Sequence, residues 1–223
     1  MSQPAIESIV TPPFEEVCYV VWIEGRTDAL VVDPSFDTSP VLAFLKRKQL
    51  RPAAILNTHG HIDHIAGNRA MKEAFPDAPL IIGRNEAGLL TDAEANLSAP
   101  YGFPLTSPPA DRLVSDLEEF EVAGLKLRVR EIPGHSPGSV IFACEQFDPP
   151  FVLGGDVVFA GSVGRTDLGG NGPLLFSGIR SKLFTLPDST VIYPGHGPAT
   201  TVGEEKRSNP FVGANADPSS LLG

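Results

Sequence analysis

Positive charge is scarce in this chain of 223 residues, which has 17 Lys and Arg against 27 Asp and Glu and a formal net charge of -10 at pH 7. Binding of a polyanion needs a positive surface field, so this balance argues against a nucleic-acid partner. The chain also lacks any run of about 18 apolar residues, and residues 1–13 have neither a basic start nor an apolar segment. We therefore expect no membrane partner and a cytoplasmic location.

Cysteine is almost missing too. Cys18 and Cys144 lie far apart in the sequence, each inside an apolar run, and neither belongs to a metal-binding motif. Such residues usually behave as small apolar side chains, so the sequence predicts two unrelated, reduced and buried thiols. A disulfide between them is the open alternative.

Short apolar runs indicate buried strands along most of the sequence. They are residues 17–23, 29–32, 53–56, 80–82, 140–143, 151–153 and 190–193. Residues 125–132 differ, because apolar and basic side chains alternate there, which predicts an antiparallel strand with one face in water. Helical patterns lie between the strands, at about 39–50, 67–75 and 173–183. Strands that alternate with helices predict a layered α/β domain.

All five histidines of the chain follow such runs and lie beside Gly, Pro or another potential metal ligand. The densest group is the sequence His-Gly-His-Ile-Asp-His, with His59, His61, Asp63 and His64. On a helix, a spacing of two residues would point the first two histidines in different directions, so this group must begin in a loop. Asp63 has an alternative role as the N-cap of the helix that follows, and the two roles are compatible.

Three further candidates follow later strands: His135 in Pro-Gly-His-Ser-Pro-Gly, Asp156 after residues 151–155, and His196 in Tyr-Pro-Gly-His-Gly. Loops at one end of a sheet are where ligands gather in α/β folds, so we expect these segments to converge. Seven nitrogen and oxygen ligands are too many for one tetrahedral ion but suit two divalent ions that share a carboxylate. Zinc is the default expectation, and iron or manganese would accept the same ligands.

Through these four motifs the sequence resembles the metallo-β-lactamase-fold hydrolases, over roughly residues 14–211. The resemblance implies a single-domain αββα sandwich at 1–211, and the Gly- and Ser-rich residues 212–223 are predicted to form a flexible tail. It also implies that His59, His61 and His135 bind one ion, that Asp63, His64 and His196 bind the other, and that Asp156 bridges the two.

Within that superfamily, residues 159–168 and 203–211 look similar to the glyoxalase II-like, hydroxyacylglutathione hydrolase branch, and most of all to its short bacterial members. Arg165 and Asp167 match the loop that contacts the thiol carrier in longer relatives, and a surface ion pair is their alternative role. Glyoxalase II enzymes also have a C-terminal helical region that helps to hold glutathione, which leaves glutathione recognition open here. Asp156 stands where one subclass of true β-lactamases has a cysteine, which argues against antibiotic hydrolysis.

The resemblance leads us to expect a hydrolase of a small thioester that uses a hydroxide held by the two metals, with Asp63 orienting it and moving its proton. A persulfide dioxygenase, with one iron and O₂, shares the fold and a similar Gly-Arg-Thr-Asp segment and is the main alternative. A lactonase or other small-ester hydrolase is a second. Residues 96–104, with Tyr101 and Phe103, could cover the pocket, although a structural loop that packs both rings on the core is favoured.

Overall fold

Two six-stranded β-sheets form the centre of the protein in a computed structural model that describes residues 2–216. The first sheet follows chain order: β1 (Pro4–Thr11), β2 (Glu16–Ile23), β3 (Asp28–Val32), β4 (Arg51–Asn57), β5 (Leu80–Gly83) and β6 (Arg112–Val114). Its first three strands are antiparallel, whereas β3 to β6 are parallel, because longer segments that include helices connect them.

The second sheet contains the later strands: β7 (Glu119–Val122), β8 (Leu125–Glu131), β9 (Val140–Cys144), β10 (Phe151–Gly155), β13 (Val191–Pro194) and β14 (Thr200–Thr201). A small hairpin, β11 (Val158–Phe159) and β12 (Ser162–Val163), stands apart from it. Strand β8 pairs antiparallel with both β7 and β9, and its residues alternate between buried and exposed until near its end, which confirms the prediction for this segment.

Helices cover the outer face of each sheet. They are α1 (Ser39–Lys48), α2 (Ile62–Ile65), α3 (Asn68–Ala74), a 3-10 helix (Arg84–Leu90), α4 (Gly172–Gly178), which continues as a π-helical turn (Ile179–Leu183), and α5 (Val202–Ser208). Three apolar cores separate the four layers: one between the sheets, one between the first sheet and α1 to α3, and one between the second sheet and α4 and α5. The predicted αββα sandwich is confirmed.

The core between the sheets holds the two halves of the chain together. Leu30 and Leu56 from the first sheet pack there with Leu127 and Phe142 from the second, and all four side chains are buried. Burying one such side chain contributes about 1.5–3 kcal/mol relative to leaving it exposed, so this interface is a large part of the stability of the fold.

The two cysteines are free and buried, and they lie in different cores. Cys18 packs between the first sheet and its helices, whereas Cys144 packs between the sheets. Their separation confirms the prediction of two unrelated thiols and removes the disulfide alternative.

The end of the domain differs from the sequence prediction. Val212, the first residue of the predicted tail, is 3% exposed and packs in the core beneath α4 and α5. The amide of Ala214 also donates to the carbonyl of Lys206. The packed region therefore extends beyond residue 211, and the rest of the predicted tail, 217–223, lies outside the described residues. Within residues 2–216, no helix is both long and apolar enough to cross a bilayer.

Candidate metal centre

The seven candidate ligands follow the ends of four strands at one edge of the sandwich. The segment after β4 contains His59 and His61 and continues into α2, which contains Asp63 and His64. On the second sheet, one candidate follows each of β8, β10 and β13: His135, Asp156 and His196. The amide of Val17 at the start of β2 donates to the carbonyl of Gly195 (2.8 Å), which joins the two sheets beside the site. The structure thus brings together all seven side chains that the sequence singled out.

Three imidazoles form the first group. The nitrogens His59 Nε2, His61 Nδ1 and His135 Nε2 lie at the corners of a triangle with sides of 2.9, 3.1 and 3.2 Å. Ligands of a tetrahedral zinc ion at about 2.05 Å would stand about 3.3 Å apart. The triangle therefore has nearly the size that one ion requires.

Hydrogen bonds behind the triangle fix which nitrogens carry protons. Thr58 Oγ1 donates to Asp33 Oδ2 (2.6 Å), so it can only accept from His59 Nδ1 (3.2 Å). His135 Nδ1 donates to the carbonyl oxygen of Arg165 (2.8 Å). In the neutral rings, Nε2 of His59 and Nε2 of His135 then carry no proton, and their lone pairs point into the triangle. This is the tautomer that a metal ligand needs.

The second group consists of Asp63, His64 and His196, and Asp156 lies between the two groups. His196 Nε2 lies 3.3 Å from Asp63 Oδ2, and His64 Nε2 lies 3.3 Å from Asp156 Oδ1. Oδ2 of Asp156 is 3.5 Å from His135 Nε2 and 3.6 Å from His196 Nε2. One carboxylate therefore faces ligands of both groups.

Two buried polar atoms at this position have no hydrogen-bond partner: His64 Nε2 and Asp156 Oδ1. An unpaired buried polar group is costly, so such atoms need another partner. A pair of imidazole and carboxylate donors suits a borderline divalent ion such as zinc, iron or manganese. The residues fit the metal that the sequence implies.

The histidine pKa values shift in opposite directions in the two groups, because burial dominates in the first group and neighbouring carboxylates dominate in the second. Burial lowers the pKa of His59 well below its ordinary value and lowers the pKa of His61 to about 3, so both rings are neutral. Burial also opposes charge on His64, but Asp156, Asp63 and Asp33 raise its pKa well above 6.5. The pKa of His196 is raised as well, since the hydrogen bond to Asp63 outweighs burial.

Asp33 supports both groups, and sequence reasoning missed it. Its Oδ2 accepts from His64 Nδ1 (3.0 Å) and from Thr58 Oγ1, and its Oδ1 accepts from the amide of Thr58 (2.8 Å). Its backbone has a φ of 50°, the left-handed conformation in which Asp is tolerated better than most residues. It directly follows the apolar strand β3, as Asp156 follows β10, so the same signal would have found it.

Glu86, in the 3-10 helix, is fully buried and connects two ligand loops. Its Oε2 accepts from the amide of Gly60 (2.8 Å), while its Oε1 accepts from Ser136 Oγ (2.8 Å) and the amide of Gly138 (2.5 Å). One carboxylate therefore holds the loop of His59 and His61 against the loop of His135. No pattern in the sequence around Glu86 marks it.

A cavity of about 290 Å³ opens above the centre and exposes His61, Asp63, His135, Asp156 and His196 to it. Its walls are otherwise mostly apolar, with the following residues: Phe14, Ile62, Leu97, Tyr101, Phe159, Val163, Arg165 and Leu168. A ligand in the cavity would thus meet the candidate metal ligands at its floor.

Arg165 and Asp167 come together at the mouth of this cavity. Arg165 Nε and Nη2 donate to Asp167 Oδ1 and Oδ2 at 2.8 and 2.6 Å, and both side chains are more than half exposed. Arg165 lines the cavity, and the surface ion pair expected as the alternative role of these two residues is formed.

Two smaller expectations are wrong. Asp63 lies inside α2, whose N-cap is His61, so it does not cap a helix. Tyr101 and Phe103 do not pack on the core; they are 46% and 36% exposed, and Tyr101 lines the cavity. Helix α2 and residues 96–104 therefore both contribute directly to the pocket, through Ile62 and Asp63 and through Leu97 and Tyr101.

A four-layer fold with a His- and Asp-lined centre at the edge of its sheets defines a class of metal-dependent enzymes. The chain belongs to the metallo-beta-lactamase superfamily, whose family model matches residues 12–196. It is 40% identical to the probable metallo-hydrolase YqgX of Bacillus subtilis over 82% of this chain and 86% of that protein. It is 32% identical to the hydroxyacylglutathione hydrolase GloC of Haemophilus influenzae over 95% of this chain and 99% of that protein. The protein is thus a metallo-hydrolase of this superfamily.

Solved structures agree on the fold. The BLEG-1 B3 metallo-beta-lactamase has a TM-score of 0.87 and 37% identity over 93% of this chain and 99% of that one. TTHA1623 in a di-iron-bound form has a TM-score of 0.78 and 34% identity over 92% and 99%. ETHE1 from Myxococcus xanthus has a TM-score of 0.76 and 26% identity over 93% and 84%. These likenesses support a divalent metal centre.

Proposed function

We propose that the protein hydrolyses a small thioester at a centre of two divalent metal ions. The observation that carries the proposal is the arrangement of seven His and Asp side chains in two groups around Asp156, at the floor of a cavity. In this proposal His59, His61 and His135 would hold one ion, Asp63, His64 and His196 would hold the other, and Asp156 would be a ligand of both. The likeness to a protein named as a hydroxyacylglutathione hydrolase, over nearly the whole of both chains, supports the thioester as substrate.

Two bound divalent ions would supply Lewis acidity and lower the pKa of a water molecule toward about 7. The chain itself places the proton acceptor. Asp63 lines the cavity, and His64 and His196 hold its pKa below the usual value although burial opposes this, so it is ionised at neutral pH. Asp63 can therefore orient the attacking water and accept its proton. Water oxygen bonds to the acyl carbon, the C–S bond breaks, and the thiol leaves with a proton.

Arg165 is proposed to contact the thiol carrier, with Asp167 holding its guanidinium in place. The ion pair is bidentate, so the guanidinium plane of Arg165 is fixed in direction. Its remaining N–H groups stay free to donate to a carbonyl or carboxylate. Whether the carrier is glutathione depends on contacts at this loop, and a small thiol would satisfy the same donors.

One preparation tests the proposal: metal content, thiol release from acyl thioesters, and O₂ uptake with glutathione persulfide are measured on the same sample. Two metals per chain with thiol release are expected. One iron per chain with O₂ uptake and no thiol release would replace the proposal with the persulfide dioxygenase. A lactone and a chromogenic β-lactam are included as further substrates, the latter because of the likeness to BLEG-1.

The role of Asp63 is tested with Asp63→Asn, which keeps the shape of the side chain but accepts protons poorly. We expect thiol release to fall by 10²–10⁴-fold, the range for loss of a general base. Because Asp63 is also a proposed ligand, metal content is measured alongside. Equal turnover with both metals retained would remove Asp63 from proton transfer.

A further inference from the structure

We propose that four aromatic side chains at the cavity mouth, Phe14, Phe36, Tyr101 and Phe103, bind an apolar acyl chain of the substrate. These four residues are called the aromatic cluster below. The reaction rests on the proposed function, whereas the binding site rests on the geometry of the cluster, so the two can be tested separately.

The rings of the aromatic cluster form one continuous surface. Phe14 lies 5.8 Å from Phe36, 5.6 Å from Tyr101 and 6.3 Å from Phe103, measured between ring centroids, and Phe36 lies 5.7 Å from Phe103. Aromatic pairs at these separations attract each other. Phe14 and Tyr101 also line the cavity above the metal centre, so the surface continues from solvent to the candidate ligands.

Two members of the aromatic cluster, Tyr101 and Phe103, are exposed, whereas Phe14 and Phe36 beneath them are half-buried. Six large apolar side chains among residues 2–216 are strongly exposed, and three of them are at this mouth: Tyr101, Phe103 and Leu168. Single exposed apolar residues are ordinary, but a contiguous exposed group beside a cavity is typical of a binding site.

A buried hydrogen-bond network holds the loop of Tyr101 and Phe103 in place. Asn96 and Ser98 are fully buried; Asn96 Nδ2 donates to the carbonyl of Leu105 (2.9 Å), and the amide of Leu105 donates to Ser98 Oγ (2.9 Å). The amide of Ile62 donates to the carbonyl of Asn96 (3.0 Å), which ties the loop to α2 beside the metal ligands. A site that is already formed loses little conformational entropy when a ligand binds.

Charge favours an apolar ligand at this wall. Arg165 is the one Lys or Arg side chain among the described residues that line the cavity, and Asp167 neutralises it. A cavity of about 290 Å³ is at the small end of the range for ligand pockets, about 300–1,000 Å³, so it suits one arm of a substrate. The acyl chain is the arm attached to the reacting carbon, and the larger thiol carrier would extend past Arg165 into solvent.

The test uses thioesters of one thiol, N-acetylcysteamine, with acetyl, butanoyl, hexanoyl and phenylacetyl groups. We expect kcat/KM to rise with chain length, by about two- to fourfold for each methylene that becomes buried. The double variant Tyr101→Ala, Phe103→Ala should lower the ratio of kcat/KM for hexanoyl to that for acetyl by at least about tenfold. Leu117→Ala is the matched control, because Leu117 is 67% exposed and does not line the cavity, and it should leave the ratio unchanged.

A binding experiment separates this proposal from the proposed function. Acetohydroxamate, butanohydroxamate, hexanohydroxamate and phenylacetohydroxamate are titrated into the metal-loaded protein by calorimetry. A Kd that falls with chain length in the native protein but not in the double variant supports the aromatic cluster, even if no thioester is hydrolysed. Thioester hydrolysis with a flat series, in both kcat/KM and hydroxamate Kd, would overturn the aromatic cluster as an acyl site and leave the proposed function intact.

Discussion

Single side chains make the two halves of the metal centre electrically different. His59 and His61 are neutral because burial lowers their pKa, whereas the carboxylates around His64 favour its charged ring. A metal ion must displace any proton that its ligands carry. The two ions are therefore expected to bind with different pH dependences.

When metal binds to the metal-free protein at pH 7, the two groups of ligands should release different numbers of protons. Because the pKa of His61 is about 3, the triangle of His59, His61 and His135 should take an ion with almost no proton release from His59 and His61. The pKa of His64 is raised well above 6.5 and that of His196 is raised as well, so the folded protein retains these protons to higher pH than free imidazoles would and loses them as pH rises. Binding of the second ion should release one to two protons and strengthen as pH rises from about 6 to 9. Calorimetry in buffers of different ionisation enthalpy measures this, and equal proton release for both ions would contradict it.

The hydrogen bond between Asp33 and His64 can be tested by a single substitution. Asp33→Asn keeps the left-handed backbone accessible but removes the charge that faces His64 Nδ1. Partners of this kind typically contribute 10–100-fold in metal affinity, so we expect that loss at the second site and a smaller one at the triangle. Asp111→Asn, which alters a surface ion pair with Lys72, is the control. Unchanged affinity for both ions would show that the hydrogen bond is structural only.

The candidate metal ligands were easier to predict from the sequence than the residues that hold those ligands in place. The seven candidates stood out because His and Asp follow apolar runs, and the structure places all seven together. Asp33 also follows an apolar strand, as Asp156 does, but it lies outside the four motifs on which the resemblance depends. Glu86 carried none, since its function depends on two loops that are 26 and 50 residues away in sequence.

The loops that contain the candidate ligands are held in position by other secondary-structure elements, and Glu86 in the 3-10 helix is the clearest example. Glu86→Gln replaces an acceptor with an amide group, so at least one of its three donors loses its partner, at a cost of about 1–3 kcal/mol. We expect the affinity of the His59, His61 and His135 group for one ion to fall by about tenfold. Cobalt substitution and its visible spectrum report that site.

Glu205→Gln is the matched control for this prediction. Glu205 is also buried and accepts three hydrogen bonds, from the amide of Gly161, Thr200 Oγ1 and Asn209 Nδ2, and these partners lie outside the two loops that Glu86 connects. It should lose comparable unfolding free energy and keep the cobalt spectrum of the native protein. If both variants change the spectrum alike, Glu86 acts through general stability and not through the loops.

The end of β13 gives another prediction for an element. A Cβ atom on Gly195 would lie 2.2 Å from Asp156 Oδ1 and 2.6 Å from His64 Cε1. Gly195→Ala should therefore displace the shared carboxylate and reduce binding of at least one ion, as measured by metal analysis after dialysis. Gly88→Ala, at a position with open space around it, should leave metal content unchanged.

The elements missed by sequence reasoning share a physical reason. Strand β1 is an edge strand whose side chains are mostly half-buried on both faces, so it has neither an apolar run nor a clean alternation. Helix α5 contains Gly203 and four charged residues, and its place is fixed by burial of Val202 and Glu205. Most of the strands that were predicted are largely buried on both faces and have an apolar run, whereas β8 was predicted from its alternation of apolar and basic residues.

For the whole molecule, the metal centre lies where the two sheets meet. Ions that bind only the folded state stabilise it by about 2.7 kcal/mol when the free metal concentration is 100 times the Kd. We expect chelation to lower the Tm, and addition of zinc, iron(II) or manganese(II) to restore it. A Tm that is unaffected by chelation, in a sample shown to lose its metal, would mean that the ions bind folded and unfolded chain alike.

Each proposed ion takes two ligands from the first half of the chain and at least one from the second. His59, His61, Asp63 and His64 leave the ribosome long before His135, Asp156 and His196 have been made. A nascent chain therefore cannot complete the first site before Asp156 has been made, or the second site before His196 has been made. If the chain were cut between the two sheets, each half would contain only some of the ligands of each site. Binding of a divalent ion would then report that the two halves had reassembled correctly.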